Sequence, residues 1–239
     1  MKLLDMTLNT PDGNLALDEA LLETADESEE PVEVFRIWES VTPVVVVGRA
    51  SRVADEVQQA NCLERSIPVL RRCSGGASVV VGPGCLMYAL VLSYRLRPEL
   101  QAISAAHCFV LRTIGDRLRR AVPEVECRGT SDLTLAGKKF SGNSLRVRRN
   151  HLLYHGTILY DFPLELISAC LRSPPRQPEY RQGRAHDEFL VNLPLGREEL
   201  RAAILDGLPL DGPLTDWPRA RTERLAETRY RQSDWNLRF

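Results

Sequence analysis

SDLTLAGKKFSGNSLRVRRNHLLYHGTILY, Ser131 to Tyr160, is the stretch whose pattern decides the fold. Leu133 and Leu135 alternate with polar residues up to Ala136-Gly137, Leu145 and Val147 alternate up to Arg149-Asn150, and Leu152 and Tyr154 resume the alternation. A period of two, broken twice by short turn-forming pairs, reads as three antiparallel strands in a meander. Working outward, Val79–Val81 and Leu86–Leu92 read as strands on either side of Gly82-Pro83-Gly84. Val34–Trp38, Ile67–Leu70 and an opening segment Lys2–Leu8 add further strands. Four consecutive valines, Val44–Val47, ended by Gly48, suit a strand buried on both faces.

Helical spacing brackets this sheet. After a turn at Pro11-Asp12-Gly13, Leu17, Ala20 and Leu21 share one side of a helix predicted from Leu15 to Thr24, with Asp26–Glu30 as a surface loop. Gln58–Arg65 follows, and Ser104 is the expected N-cap of a long helix that presents Ala106, Val110, Ile114 and Leu118 and stops at Pro123. Another helix starts near Pro163, with Leu164, Ile167 and Leu171 inward, and ends at Ser173-Pro174-Pro175. Arg172–His186 is then a long polar loop, of a length often functional inside a compact domain. Glu198–Leu205 and Glu223–Tyr230 read as closing helices. The expected class is α+β, a mixed, mostly antiparallel sheet with packed helices. Residues 1–195 form its body and residues 196–239 a short helical extension packed on it.

A chain of 239 residues with 44% hydrophobic and 26% charged residues has the composition of an ordinary globular protein with a sizeable core. A net charge of -1 supplies no field to recruit nucleic acid or a membrane. The start lacks a secretory pattern, and no apolar run approaches the roughly 18 residues of a spanning helix. Six cysteines lie far apart without a C-x-x-C pair, which argues against a zinc ribbon or a disulfide framework and for reduced thiols in the cytoplasm. Basic clusters at Arg117, Arg119 and Arg120, and at Arg146, Arg148 and Arg149, read as a solvated helix face and a hairpin tip.

Three polar islands fall where strands end. In the first, Arg71 and Arg72 precede Cys73, Ser74, Gly75, Gly76 and Ala77. Guanidinium forks and glycine-exposed N–H groups suit a carboxylate or phosphate, against the plainer reading of a tight turn with two exposed arginines. In the second, Gly137, Lys138, Lys139 and Phe140 lead to Ser141, Gly142 and Asn143, aiming an ammonium and an amide at an anion. The spacing is not that of a Walker loop, and the plainer reading is a hairpin whose lysines blunt the sheet. Gly82-Pro83-Gly84 fails the dinucleotide pattern too. The third is His155-Gly156-Thr157; a lone histidine is usually structural, but Asp132 and Lys139 share its meander.

These islands, in this order, resemble the lipoate–protein ligase A family within the superfamily of biotin and lipoate attachment enzymes. The first is similar to that family's R-R-x-S-G-G-G loop. Ser131-Asp132-Leu133 with Gly137–Asn143 is similar to its N-D-x(n)-G-[RK]-K-[FIV]-S-G-[NS] stretch, and His155–Leu159 to its H-G-T-L-L strand. Asn14–Glu19, Phe35–Trp38, Val45–Arg49, and Leu225–Tyr230 with Asp234–Asn236 extend the likeness over nearly the whole chain. The resemblance implies the catalytic fold of biotin and lipoate ligases. It implies activation of lipoate or octanoate with ATP, brought as its Mg²⁺ complex, to an acyl-adenylate, then transfer to a lysine of a lipoyl-domain protein. Lys139 would contact the acyl carbonyl and adenylate phosphate. Ser74–Ala77 with Arg71 or Arg72 would hold the acid, and Asp132, Ser141, Gly142, Asn143, His155, Gly156 and Thr157 would line the acyl or nucleotide site. Which residues, if any, would hold a metal is left open.

Charge supports those roles, because a carboxylate attacking a phosphate needs fixed positive charge. An ordinary lysine is neutral in only roughly one molecule in 2,500 at pH 7, so the acceptor amine needs a base, and the sequence names none. The chain departs from the family pattern at Ala77, where a third glycine is usual, at Val81, where His or Gln is common, and at Met87, where a strand Asn is common. The short segment after the catalytic part leaves three readings: a separate accessory subunit, a shorter ligase, or no ATP step. In the last, an octanoyl or lipoyl transferase would use a cysteine. Cys127, in Cys127-Arg128-Gly129-Thr130-Ser131-Asp132, stands where amidotransferase relatives carry a nucleophile in C-P-G-x-Y-D, although Arg128 and Ser131 replace the Pro and Tyr. A non-catalytic lipoate-binding protein is the third alternative. Arg176, Arg181, Arg184 and His186 in the long loop would clamp the site, dock an acidic acceptor, or merely be solvated.

Overall fold

Thr10 and Pro11 show how closely local chemistry sets the elements of the computed structural model, which describes residues 1–239. After strand β1 (Lys2–Asp5), the Thr10 hydroxyl accepts from the Gly13 N–H at 3.3 Å and Pro11 occupies the first helical position. Helix α1 therefore runs Pro11–Glu27, and the expected Pro-Asp-Gly turn is its first turn. Its C-terminal end absorbs part of the expected acidic loop, because Asp26 Oδ1 accepts from the backbone of Asn150 and His151.

Strands β2 (Val34–Glu39) and β3 (Val44–Val47), short helices α2 (Val53–Glu56) and α3 (Gln59–Glu64), and strands β4 (Val69–Arg71), β5 (Val79–Val81) and β6 (Cys85–Ser93) follow. Helix α4 (Ile103–Ala121) starts after Ala102 without a side-chain cap, so Ser104 sits inside its first turn rather than capping it. The meander is β8 (Asp132–Leu135), β9 (Lys138–Val147) and β10 (His151–Leu159), preceded by β7 (Val125–Arg128). Helices α5 (Glu165–Cys170), α6 (His186–Phe189), α7 (Arg197–Leu205), α8 (Arg219–Leu225) and α9 (Ser233–Asn236) close the chain, with a π-turn at Ala226–Tyr230 after α8.

Two sheets result. The large one has the order β1-β2-β6-β10-β9-β8-β7, antiparallel except for the parallel β1–β2 pair. The valine strand β3 lies at the centre of a second sheet, parallel to β4 and antiparallel to β5, which is why all four valines are buried. Alternation sorts the large sheet's side chains. Phe35, Tyr88, Leu90 and Tyr154 pack against Val110, Ile114 and Leu118 of α4. Val34, Ala89, Val91 and Leu153 turn to Leu17, Leu21 and Leu22 of α1. On that second face, Trp38 and Met87 meet Val44–Val47 of the small sheet, which sets the two sheets face to face along one edge of α1.

Residues 196–239 wrap this body. Leu200 and Ile204 of α7 are buried in the α4 layer, and Leu214 N donates to Leu3 O beside β1. Tyr230 and Arg229 reach Glu19 of α1, and Asn236 of α9 accepts from the Arg71 N–H.

Candidate functional site

The loop after β4 is shaped by its own arginines. Arg71 Nη1 donates to the carbonyls of Gly48 (2.6 Å) and Ser51 (2.9 Å), Nε to Trp235 O (3.0 Å) and Nη2 to Arg238 O (2.5 Å). Its fork is thus committed to tying the C-terminal tail to β3, away from any cavity. Arg72 donates to Val46 O, Ser74 Oγ, Gly75 O and Ala77 O at 2.6–3.1 Å. Burial lowers its pKa to about 10, so it remains a cation at neutral pH. Arg71 is thus engaged by backbone carbonyls from the end of β3 and from the C-terminal segment, whereas Arg72, though bonded to carbonyls of β3 and the curled loop, still borders a cavity that Lys139 also lines. The curl itself needs glycine. Gly76 has φ +84°, and a Cβ on Gly48 would lie 1.9 Å from the Gly76 carbonyl oxygen.

Lys139 enters from β9. Its Nζ lies 2.8 Å from Asp132 Oδ1, and Asp132 Oδ2 accepts from Tyr180 OH at 2.7 Å. Gly142 gives the ammonium its room, since a Cβ there would stand 2.8 Å from Lys139 Nζ. Asn143 Nδ2 donates to Ser131 O at 2.8 Å, and its Oδ1 accepts from Tyr88 OH. A Cβ on Gly156, paired with Asn143 in the β9–β10 register, would collide with that oxygen at 1.8 Å.

His155 completes the wall. Its Nε2 is 2.5 Å from Ser74 Oγ and its Nδ1 3.5 Å from Asp18 Oδ2 of α1. Asp18 in turn pairs with Arg36 at 2.5 Å. Burial pushes the Asp18 carboxyl upward, yet Arg36 and His155 together hold it below the ordinary carboxylate value.

Two adjoining cavities open between the sheets. One, about 690 Å³, is bordered by Gly76, Ala77, Asn143, His155 and Gly156, with Leu15, Val46 and Met87 as its apolar side. The other, about 700 Å³, is bordered by Glu56, Arg172, Arg181, His186, Phe189 and Leu190. Ala77, Ser78, Val79, Lys139, Gly142 and Thr157 border both. The ammonium of Lys139 and the glycine turn therefore face one space, with Lys139 at the seam.

Most of the predicted residues converge here. Ser141 borders the second cavity, Ser74 is buried behind the turn, and Gly75 is exposed, its carbonyl accepting from Ser144 Oγ. Cys127 does not converge: its Sγ lies 3.7 Å from Arg119 Nη2 and 3.9 Å from Leu111 O of α4, across the sheet from Lys139. No cysteine borders either cavity. Cys73 is buried against α1, where burial pushes its thiol up. The polar loop is not merely solvated, because Arg172, Arg181 and His186 line the second cavity and Tyr180 reaches Asp132. Glu56, which accepts from Ser78 N and Oγ at 2.7 Å, gave no signal in the sequence. Asp18 and Arg36 had one, as charges inside apolar segments.

Comparison with known proteins agrees with this geometry. The S. aureus (strain Mu50) lipoate–protein ligase 1 is 26% identical over 96% of this chain and 70% of its own length. An octanoyltransferase of Brevibacillus brevis is 24% identical over 96% of this chain and 95% of its own. Among solved structures, a bi-partite archaeal lipoate protein ligase from Thermoplasma acidophilum superposes with a TM-score of 0.81 at 20% identity, covering 99% of this chain and 95% of that one. A lipoate-protein ligase A bound with ATP also gives 0.81 at 20% identity, over 99% and 98%. The model of the lipoyl protein ligase A/B catalytic domain matches residues 10–194, and the chain belongs to that family.

Proposed function

We propose that the protein activates lipoate or octanoate with ATP to an acyl-adenylate and transfers the acyl group to a lysine of a lipoyl-domain protein. The observation that carries this reading is the position of Lys139 at the seam of two cavities of different character. Leu15, Val46 and Met87 give the first an apolar wall for an acyl tail, and Arg172, Arg181 and Ser78 give the second polar groups for a nucleotide. A carboxylate in one and an α-phosphate in the other would meet beside the ammonium, where a unit charge at 4 Å offsets about 4 kcal/mol of repulsion at an effective dielectric of 20. Asp132 and Tyr180 hold that ammonium in place. No group of three His, Cys, Asp or Glu side chains converges on a metal site, so in this reading Mg²⁺ arrives on the nucleotide phosphates.

Proteins of the same fold support the substrates: one Thermoplasma structure contains lipoic acid, and the ligase A structure contains ATP. The archaeal ligase, described as bi-partite and together with its E2 lipoyl domain, supports a lipoyl-domain acceptor and a separate accessory subunit. The octanoyltransferase relatives suggest transfer as the second reading, and a cysteine-dependent form of it would need a thiol, which the lining of neither cavity supplies. No helix is long and apolar enough to cross a membrane.

The test is intact-mass measurement of a lipoyl domain incubated with the protein and lipoic or octanoic acid, with and without Mg·ATP. Acylation only with ATP is the expected result. Acylation without ATP from an octanoylated carrier would overturn ligation in favour of transfer, and measurable acid binding without acylation in either regime would leave a binding protein.

A further inference from the structure

Glu56, the last residue of α2, is the only acid that borders the second cavity, where Lys139, Arg172 and Arg181 are the cations. It is 7% exposed, so a carboxylate this buried needs an account. Half of it has one. Oε2 accepts the N–H and the hydroxyl of Ser78, both at 2.7 Å. No protein donor reaches Oε1, yet that oxygen is not sealed in the interior as an orphaned atom, and the open space beside Glu56 is the cavity. No cation pairs with it either, since Arg71 and Arg72, whose charges are felt at Glu56, are engaged by backbone carbonyls. One carboxylate oxygen thus stands free to accept at the wall of a site proposed for a polyanion. Beside a phosphate it would repel, and beside an N–H or O–H group it binds.

Its neighbours say which part of a nucleotide it meets. Lys139, at the seam, belongs to the α-phosphate. Glu56 instead adjoins the apolar wall: Val57 bridges to Leu171, the Arg172 N–H donates to Glu56 O at 2.9 Å, and Leu171 borders the cavity with Val79, Leu159 and Ile167. The base is the part of a nucleotide whose flat faces suit such a wall, and it carries its polar groups on its edge. In adenine that edge offers a 6-amino donor, and in guanine or hypoxanthine a 6-oxo acceptor. We infer that Glu56 selects the base of the nucleotide, its Oε1 accepting from the 6-amino group of adenine. The inference rests on the ATP-dependent reading above and names the side chain that makes its nucleotide site one for adenine. Ser78 is the positioning partner. Its two donors hold Oε2, which leaves Oε1 one direction to point. A 6-oxo base in the same place would set two acceptors against each other with no hydrogen between them.

Octanoate-dependent pyrophosphate exchange with ATP, inosine triphosphate, 2′-deoxy-ATP and 3′-deoxy-ATP tests the assignment. Ratios of kcat/KM between nucleotides are read, because they do not depend on how much of a variant is folded. Inosine triphosphate differs from ATP in carrying the 6-oxo group in place of the amine. The wild-type protein should prefer ATP by about 10- to 100-fold, the usual cost of a buried acceptor left facing another acceptor. In Glu56→Gln the amide oxygen stays with the Ser78 N–H, which needs an acceptor, and the amide N–H₂ turns to the base. Its preference for ATP over inosine triphosphate should therefore fall to near unity or reverse, with the ratios of ATP to the two deoxy nucleotides unchanged. A wild-type protein indifferent to the 6-position would overturn the assignment. So would a Glu56→Gln protein that loses both rates alike, which would make Glu56 only a brace for Ser78. A change confined to the deoxy ratios would move Glu56 to the ribose, and a changed Mg²⁺ requirement at constant base preference would move it to the metal; either overturns the assignment. No exchange by the wild type with any nucleotide would overturn the ATP-dependent reading itself, and the role of Glu56 with it.

Discussion

Gly142→Ala tests the placement of Lys139 without touching a charged group. A Cβ at position 142 would lie 2.8 Å from both Cε and Nζ of Lys139, whereas the next heavy atom, Asp132 Oδ1, is 4.0 Å away. Ordinary contact between such atoms is about 3.5–4.0 Å, so the end of the lysine must retreat by roughly 1 Å. The obstructing atoms are the far end of a flexible side chain, so the backbone can stay where it is. Gly142 has no left-handed φ, and alanine there restricts the unfolded chain, which is worth about 0.4–1 kcal/mol in favour of the folded state. Retreat also disturbs the 2.8 Å pairing with Asp132. Misplacement of a reacting group by about 1 Å costs on the order of 10²-fold in rate. The expected signature is therefore a melting temperature unchanged or slightly raised, with single-turnover acylation of a lipoyl domain slowed about 100-fold. A well-folded Gly142→Ala protein acylating at the wild-type rate would refute the placement, and a large fall in melting temperature would show that the backbone, not the lysine, gives way.

Asp18→Ala removes the partner of the fully buried Arg36 and should destabilise the protein by about 3–5 kcal/mol, read as a shift in the urea midpoint; a change under about 1 kcal/mol would contradict the pairing. Because the folded-state pKa of Asp18 lies below its ordinary value, its contribution is complete above that ordinary value and is lost as pH falls through the lower, folded one. Acid unfolding of the wild type should therefore be steeper than that of Asp18→Asn in this window, measured by circular dichroism. Cys127→Ala should leave ATP-dependent acylation unchanged, since its sulfur faces α4, and a loss of activity in a folded variant would revive cysteine chemistry. Gly156→Ala drives a methyl into Asn143 Oδ1 and Tyr88, both held between packed strands, and should lower stability by about 1–3 kcal/mol as well as acid binding; an unchanged melting curve would count against the close approach.

The β8–β10 meander was legible because every cue agreed: alternation, turn pairs and strand length all gave one answer, and the observed register follows it from Leu152–Val147 to Gly156–Asn143. The start of α1 was misplaced because Pro-Asp-Gly forms turns and first helical turns equally well, and what decides is Thr10 one residue earlier, whose hydroxyl takes the Gly13 N–H. Ser104 failed as a cap for a related reason: Ala102 already leaves the helical conformation, and no local rule locates that change. Nor does sequence alone reveal that β3 pairs with β4 and β5 in a sheet of its own, because a run of four valines reports burial but not partners.

Within the site, the sequence located residues by chemical type and misjudged them by partner. Lys139, Asp132, Asn143 and His155 all border the first cavity, although the register pairs His155 with Ser144 and Asn143 with Gly156 and shifts between Leu133 and Thr134, so alternation alone does not place them on one face. Arg71 and Arg72 look alike in sequence to a pair poised for an anion, and the difference lies in who reaches them first. The carbonyls that claim Arg71 come from Gly48 and Ser51 and from the last residues of the chain, more than 160 positions away, and no spacing rule spans that separation. Asp18 poses the converse problem. An acid on the apolar side of a helix reads as an error of pattern until Arg36 and His155 are placed against it, and a buried charge tolerated at that cost marks a position retained for something other than packing. The positive charge at the seam thus comes from Lys139 alone among the conspicuous cations, while the arginines fix the walls between which it acts.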